Sequence, residues 1–167
     1  PQLCTARERP PAGAGWGHEI KFDGYRIQLR VSDGEVSLRT RKGLDWTAKF
    51  PAIAATAKKL PDCIIDGEIV ALDEKGAPDF AGLQAALSDD DTDQLIFFAF
   101  DLLFAAGHDW RDQPLTDRKA ALAELLENSI KSTAHGDIRY VEHFETSGDA
   151  VLRSACRMSL EGIISKR

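Results

Sequence analysis

The chain has 167 residues, 43% of them hydrophobic, and its 21 Lys and Arg against 27 Asp and Glu give a formal net charge of -6. This length and composition suffice to bury the core of one domain, which excludes a disordered chain. The acidic average argues against a nucleic-acid partner. However, residues 1–59 hold 11 basic and 6 acidic residues, whereas residues 60–110 hold 1 basic and 12 acidic residues. The basic first segment could therefore still bind a nucleic acid.

Hydropathy and cysteine content limit the class further. No apolar run in the sequence reaches the roughly 20 residues needed to span a bilayer, so we expect a soluble cytoplasmic protein with no membrane partner. The three cysteines Cys4, Cys63 and Cys156 form no C-x-x-C pair. We expect them to be reduced packing residues rather than disulfides or zinc ligands.

The first predicted element is an antiparallel hairpin within residues 18–38. Ile27, Leu29 and Val31 alternate with polar residues, and the Asp33-Gly34 pair is typical of a tight turn. Strands joined by hairpins and single helices then indicate an α+β domain with antiparallel sheets. The later elements predicted are helices over 51–60, 80–87, 117–126 and 149–158, and strands over 63–72, 95–103, 138–141 and 162–165.

The run from His18 to Arg26, HEIKFDGYR, contains the most informative residue, Lys21. Its K-x-D-G-x-R spacing places one amine between a carboxylate and a guanidinium on a strand and turn. A free lysine, with a pKa near ~10.4, is protonated at neutral pH and is a poor nucleophile until its surroundings change that. An exposed strand lysine beside a turn is the structural alternative.

Asp66-Gly67-Glu68 interrupts an apolar strand between Ile64 and Val70. Buried carboxylates need a cation or hydrogen-bond donors, and a glycine between them lets a ligand approach the backbone closely. The structural alternative is a tight bend with exposed acids.

Two more segments combine apolar residues with charge. In the run FFAFD at 97–101, alternation places Phe98 and Phe100 on one face, where they serve either the core or a pocket that stacks on a base. In the run EGIISKR at 161–167, Glu161 and Lys166 flank a short apolar strand, for which a simple exposed strand end is the alternative.

In order and in type, these four segments resemble the signature motifs of the ATP-dependent DNA ligases and the wider covalent nucleotidyltransferase superfamily. The chain is most similar to the ligase domain of bacterial end-joining ligases of the LigD type. The resemblance implies an α+β, ATP-grasp-like nucleotidyltransferase core, in which two antiparallel sheets flanked by helices hold the ATP cleft between them. Further similar segments are SLRTRKG at 37–43, DWT at 45–47, FDLL at 100–103, and PL at 114–115 with Arg118.

The resemblance implies that Lys21 attacks the α-phosphate of ATP, expels pyrophosphate and forms lysyl-AMP. The AMP then passes to the 5′-phosphate of nicked or broken double-stranded DNA, and a 3′-hydroxyl displaces it to seal the backbone. Positive charge from Arg26, Lys166 and a divalent metal would favour the neutral amine and offset charge on the transferring phosphate.

Metal roles also follow from the resemblance. Glu68 holds the ribose or a metal and Glu161 faces the metal, for which oxygen ligands and phosphate suit Mg²⁺ or Mn²⁺. Asp23 is either a metal ligand or, as we favour, a side chain that closes the turn by capping backbone amides.

For the nucleotide itself, the resemblance implies that Phe100 stacks on adenine and that Glu19 lies at the adenine edge. Arg41 contacts a phosphate or the ribose, and Lys166 also belongs to this set. Arg26 and Arg41 additionally suit the 5′-phosphate of the nicked strand.

The family continues beyond this sequence with a last lysine motif and an OB-fold domain. We therefore expect residues 1–167 to be the adenylation domain of a longer ligase, weakly active or inactive alone. A Ku-like end-binding protein could recruit that ligase, which we expect at the bacterial nucleoid. Two alternatives stay open. One is an RNA ligase or capping guanylyltransferase of the same superfamily, and the other is a non-catalytic fragment that binds nucleotide or DNA.

Overall fold

The computed structural model describes residues 3–130, 137–158 and 160–167, which form an α+β fold as predicted. The strands are β1 Gly17–Ile20, β2 Tyr25–Ser32, β3 Glu35–Thr40, β4 Cys63–Val70, β5 Ile96–Ala105, β6 His108–Asp109, β7 Ile138–Tyr140 and β8 Ile163–Lys166. The α-helices are α1 Pro51–Ala57, α2 Phe80–Ser88, α3 Leu115–Ser129 and α4 Gly148–Arg157.

The larger sheet has the strand order β3-β2-β4-β5-β6, with β7 also paired to β5. The predicted hairpin is confirmed in β2 and β3, where the turn residues Asp33 and Gly34 both have positive φ, 52° and 78°. A turn of this kind favours Asp-Gly. The predicted antiparallel sheets are confirmed, and one further pair differs from them, because β7 runs parallel to β5. Helix α3 lies between them in the chain and allows the crossover that a parallel pair needs.

The smaller sheet consists of β1 and β8, which are antiparallel, so residues 17–20 do not extend the hairpin. Between β1 and β2, the chain passes close to β4 at Gly24. A Cβ atom at Gly24 would lie 2.2 Å from the carbonyl oxygen of Ile69. Beyond β1, the amide of Lys21 donates to the carbonyl of Gly162 at 3.0 Å and continues the pairing towards the start of β8.

The main hydrophobic core lies on one face of the larger sheet, beneath α1 and α3. Because strand side chains alternate between faces, the other face is free for a second group of side chains. This face carries the polar residues of β2 and β4 and a smaller apolar cluster, and it lines the site described below. That cluster comprises Val70, Ile96, Phe98 and Val141, with Phe22, Leu72 and Phe100 packed against it.

The cysteines are free, as expected from their spacing. Only Cys63 is a buried packing residue, and burial raises the pKa of its thiol to about 12. Cys4 and Cys156 are exposed, so the packing role predicted for them is wrong. Within the described ranges, no helix is both long enough and apolar enough to cross a membrane.

Candidate active site

Lys21 and Glu161 form an ion pair at the point where the two strands of the smaller sheet begin to separate. The Nζ of Lys21 donates to Oε2 of Glu161. The two side chains keep 40% and 48% of their surface exposed. The amine is therefore held by a carboxylate and is still accessible to a ligand.

Glu68 approaches the same amine from the larger sheet. It lies on β4, where its Cα partner on β2 is Arg26. Burial raises the pKa of Glu68 to about 7, the positive charges of Lys21 and Arg26 oppose this shift, and Asp23 adds to it. The carboxylates of Glu68 and Glu161 thus act on Lys21 from different sheets, which brings together three residues predicted to share a site.

Two local predictions are not met. The carboxylate of the exposed Asp23 makes no hydrogen bond within the part of the chain that the structure describes, so the predicted capping of the turn is not found.

The second concerns Gly67, which was expected to let a ligand approach the backbone. A Cβ atom at Gly67 would lie 2.3 Å from Cζ of Phe97. Since Gly67 points to the opposite face from Glu68, its lack of a side chain makes room for a core ring rather than for a ligand.

Glu19, Lys166 and Phe100 meet beside this group. Glu19 is 3% exposed, and its Oε2 accepts a hydrogen bond from Lys166 Nζ at 2.5 Å. The same ammonium lies 4.4 Å from the centroid of the Phe100 ring. Glu19 and Lys166 can meet because they are diagonal neighbours on one face of β1 and β8. These three residues were all predicted to contact the nucleotide, and the structure places them together.

Phe98 and Phe100 differ in how far their rings are covered. The ring of Phe98, a residue that is 8% exposed, stacks on Phe22 at 4.1 Å and has the guanidinium of Arg139 at 5.9 Å. Phe100 is only half-buried, and its neighbours are the cations of Lys166 and Arg26, the latter 5.3 Å from the ring centroid. Of the two, Phe100 is therefore the ring that can accept a stacked base.

The carboxylate of Asp66 binds Arg26, as expected for a buried acid that needs a cation. Arg26 Nε lies 3.1 Å from Oδ1 and Nη2 lies 2.6 Å from Oδ2. The pair borders an open groove of about 230 Å³ to which Arg39 and Arg41 also contribute. Arg41 is thus placed near Arg26 in a groove whose guanidinium groups suit phosphate.

Lys119 is a residue of this site that the sequence-based interpretation missed. It lies on α3 and is fully buried. Its Nζ donates to Glu19 Oε1 at 2.7 Å and to the carbonyl oxygens of Val141 at 2.5 Å and Phe100 at 3.4 Å. Burial lowers the pKa of Lys119, and the charge of Glu19 opposes that shift. A signal existed in the sequence, because Lys119 occupies a position on the apolar stripe formed by Leu115, Leu122 and Leu126.

The acidic residues fit a metal of one particular kind. Among the residues that the structure describes, no group of three or more His, Cys, Asp or Glu is arranged to hold a metal ion. Glu161 and Glu68 offer two carboxylates near Lys21. This set fits Mg²⁺ held by one or two carboxylates together with substrate phosphates, rather than an ion enclosed by protein ligands.

A two-sheet α+β core with these side chains between the sheets defines the class of the ATP-dependent ligase nucleotidyltransferases. The sequence profile of the family described as "ATP dependent DNA ligase domain" matches residues 10–167. The chain therefore belongs to that family.

Individual relatives agree with this assignment. The multifunctional non-homologous end joining protein LigD of Pseudomonas aeruginosa is 39% identical over 100% of this chain and 20% of its own length. The SPbeta prophage-derived DNA ligase-like protein LigB of Bacillus subtilis is 30% identical over 100% of this chain and 60% of its own length. The solved structure of mycobacterial DNA ligase D complexed with ATP and MES is 32% identical, with a TM-score of 0.76 over 91% of this chain and 48% of that chain. The chain thus spans about a fifth of the Pseudomonas protein.

Proposed function

We propose that this chain is the adenylation domain of an ATP-dependent DNA ligase and that Lys21 accepts AMP from ATP. The observation that carries the proposal is the position of the Lys21 amine. It is accessible, it is bonded to Glu161, and it lies within electrostatic reach of Glu68 on the facing sheet. A nucleophile between two carboxylates, next to a base-stacking ring, has the groups that nucleotidyl transfer needs.

In the first step, the Lys21 ammonium loses one proton to solvent, because the neighbouring positive charges of Arg26 and Lys166 favour the neutral amine, and the hydrogen bond to Glu161 orients Nζ. The lone pair of Nζ forms a bond to the α-phosphorus of ATP. The bond from that phosphorus to the bridging oxygen of pyrophosphate breaks, and pyrophosphate leaves with the electron pair. The second amine proton is lost to solvent, and the product is a lysyl-AMP phosphoramidate.

Adenine recognition falls to the neighbouring cluster. Phe100 offers the ring on which the base stacks, and the Glu19 carboxylate accepts a hydrogen bond from the exocyclic amine. A base stacked on this face of Phe100 takes the space of the Lys166 ammonium, which lies 4.4 Å from the ring centroid. Lys166 is then free to turn towards the phosphates, where its charge offsets that of the transferring group.

A divalent cation, Mg²⁺ or Mn²⁺, would be held by Glu161 and Glu68 together with the substrate phosphates. When bound, the cation would act as a Lewis acid that offsets negative charge on the phosphoryl oxygens. Glu68 must be ionised to serve as a ligand. Because burial raises its pKa to about 7, we expect adenylation to depend on pH near neutrality.

In the later steps, an oxygen of a DNA 5′-phosphate attacks the AMP phosphorus and the Lys21 amine leaves. A 3′-hydroxyl then attacks the 5′-phosphorus, AMP leaves and the nick is sealed. The groove that contains Arg26, Arg39 and Arg41 suits the 5′-phosphate of nicked or broken double-stranded DNA. The name of the Pseudomonas relative supports end joining as the setting. The partner that we propose for that setting is a Ku-like end-binding protein at the nucleoid.

The experiment uses the purified full-length protein with ATP or GTP labelled at the α-phosphate, in the presence of Mg²⁺ or Mn²⁺. We expect covalent label from ATP in the wild type and none in Lys21→Ala. As a matched control, Lys75→Ala changes an exposed lysine outside the site and should retain full labelling. Label from GTP alone would support a capping guanylyltransferase instead, and no label with either nucleotide would support a non-catalytic binding role. Parallel sealing assays on nicked DNA and nicked RNA separate a DNA ligase from an RNA ligase.

A further inference from the structure

Lys119 is the most deeply buried cation of the site, and the proposed chemistry does not use it. Its side chain has 0% exposure, and its ammonium touches three separate segments: Glu19 on β1, the Phe100 carbonyl on β5 and the Val141 carbonyl after β7. The ring of Tyr140 lies 4.6 Å from the same ammonium. Burying a lysine costs several kcal/mol unless partners compensate it, and Glu19 with the two carbonyl oxygens supplies that compensation.

The two oxygens of Glu19 have different partners. Oε1 is bonded to the buried Lys119, whereas Oε2 is bonded to Lys166, whose ammonium also lies over Phe100. Lys119 therefore holds one oxygen from behind and turns the other towards the ring on which a base would stack. When a base replaces the Lys166 ammonium there, Lys119 is the cation that remains beside Glu19.

We propose that Lys119 is a positioning residue that makes the site select a base with a 6-amino group, acting through Glu19. The inference rests on the proposed function of the site. An ionised carboxylate only accepts hydrogen bonds, so it pairs with the amine of adenine and repels the 6-oxo group of hypoxanthine or guanine. Without Lys119, Glu19 would lose the hydrogen bond that fixes its Oε1, so its carboxylate would turn away from the base and no longer discriminate against a 6-oxo group.

The test compares ATP with ITP, which carries a 6-oxo group in place of the 6-amino group, in adenylation of the full-length protein. In Lys119→Met we expect the ratio of kcat/KM for ATP to that for ITP to fall by about 10–100-fold. The kcat at saturating ATP should change by less than about threefold, since Lys119 does not touch the reacting atoms. Lys119→Arg, which keeps the cation, should restore most of the preference. An unchanged ratio in Lys119→Met would overturn the proposal.

Two further variants separate a positioning role from a general structural one. Arg118→Met removes the neighbouring cation of α3, which binds Asp101 at 2.8 Å rather than Glu19, and should leave the ATP-to-ITP ratio unchanged. In a Glu19→Gln background, Lys119→Met should have no further effect on the ratio, whereas additive effects would contradict action through Glu19. This double variant removes both members of the buried Lys119–Glu19 pair and leaves only the partly exposed Lys166 without its partner, so it remains a valid test if Lys119→Met alone fails to fold.

Calorimetric binding of AMP and IMP to the same proteins tests the role of Lys119 separately from adenylate formation. If the wild type forms no adenylate, the proposed function fails. The positioning role of Lys119 then still predicts tighter binding of AMP than of IMP in the wild type, with that preference lost in Lys119→Met. Equal affinities for the two nucleotides in the wild type would overturn the inference.

Discussion

Arg26 on β2 binds Asp66 on β4 through two hydrogen bonds, with Nε–Oδ1 at 3.1 Å and Nη2–Oδ2 at 2.6 Å. The pair is mostly buried, and it joins two neighbouring strands at the floor of the site. The hydrogen bond to Asp66 is the main cause that raises the pKa of Arg26. Arg26 is thus held in one orientation, in which it reaches both the Phe100 ring and the arginine groove.

Replacing Asp66 should therefore destabilise the fold. We expect Asp66→Ala to lower the free energy of unfolding by about 2–4 kcal/mol, because it removes one partner of a largely buried ion pair. Urea unfolding followed by circular dichroism measures this change. Asp109→Ala removes a carboxylate from an exposed pair with Arg111 and should leave the midpoint unchanged. Equal midpoints for the two variants would contradict a structural role for the Asp66 pair.

Gly67 should not tolerate even a methyl group. The Cβ of Gly67→Ala would lie 2.3 Å from Phe97 Cζ and 2.6 Å from the Phe98 carbonyl oxygen. We expect a loss of about 1–3 kcal/mol or more in unfolding free energy, since a packed core resists added volume. Gly17→Ala is the matched strand control, because its Cβ would meet nothing closer than a His143 carbon at 3.4 Å. A similar loss in both variants would show that strand propensity, rather than the contact with Phe97, is responsible.

The two phenylalanines of β5 should respond differently to truncation. Phe100→Leu removes the ring open to a base, so we expect KM for ATP to rise about tenfold, as stacking contributes about 1–3 kcal/mol. Phe98→Leu removes a ring already covered by Phe22 and should lower thermal stability with little change in KM. Adenylation kinetics and thermal unfolding of the full-length protein measure both effects. The reverse pattern would assign base stacking to Phe98.

Glu68 should make stability depend on pH. Its pKa rises from an ordinary value of 4.5 to about 7 in the folded state because of burial, so between these values the folded state holds a proton that the unfolded state has lost. Its contribution to stability is therefore fully present below about pH 4.5 and is lost as pH rises through 7. The loss corresponds to about 3 kcal/mol at most.

Urea unfolding at pH 5 and pH 8 tests this for the wild type and Glu68→Gln. The stability of the wild type relative to the variant should fall over this interval, because the glutamine carries no titrating proton. Parallel pH dependence in the two proteins would mean that Glu68 titrates near its ordinary value.

Local patterns in the sequence predicted most elements, and contacts between distant segments explain what they missed. Alternation along β5 predicted the shared face of Phe98 and Phe100, and the Asp-Gly turn predicted the hairpin. The pairing of β1 with β8 could not be read from either strand, because both are short and their pairing joins residues about 147 positions apart. The contact between Lys119 and Glu19 joins residues 100 positions apart. The one local sign of it in the sequence was a lysine on the apolar stripe of a helix.

The position of the AMP adduct decides whether Lys21 is the nucleophile. The full-length protein is incubated with ATP and Mg²⁺, digested under neutral conditions that preserve a phosphoramidate, and analysed by tandem mass spectrometry. We predict one AMP group, attached to Lys21, which acid releases and added pyrophosphate removes as ATP is re-formed. An AMP group on any other residue, or bound AMP with no covalent adduct, would contradict the assignment of Lys21 as the nucleophile.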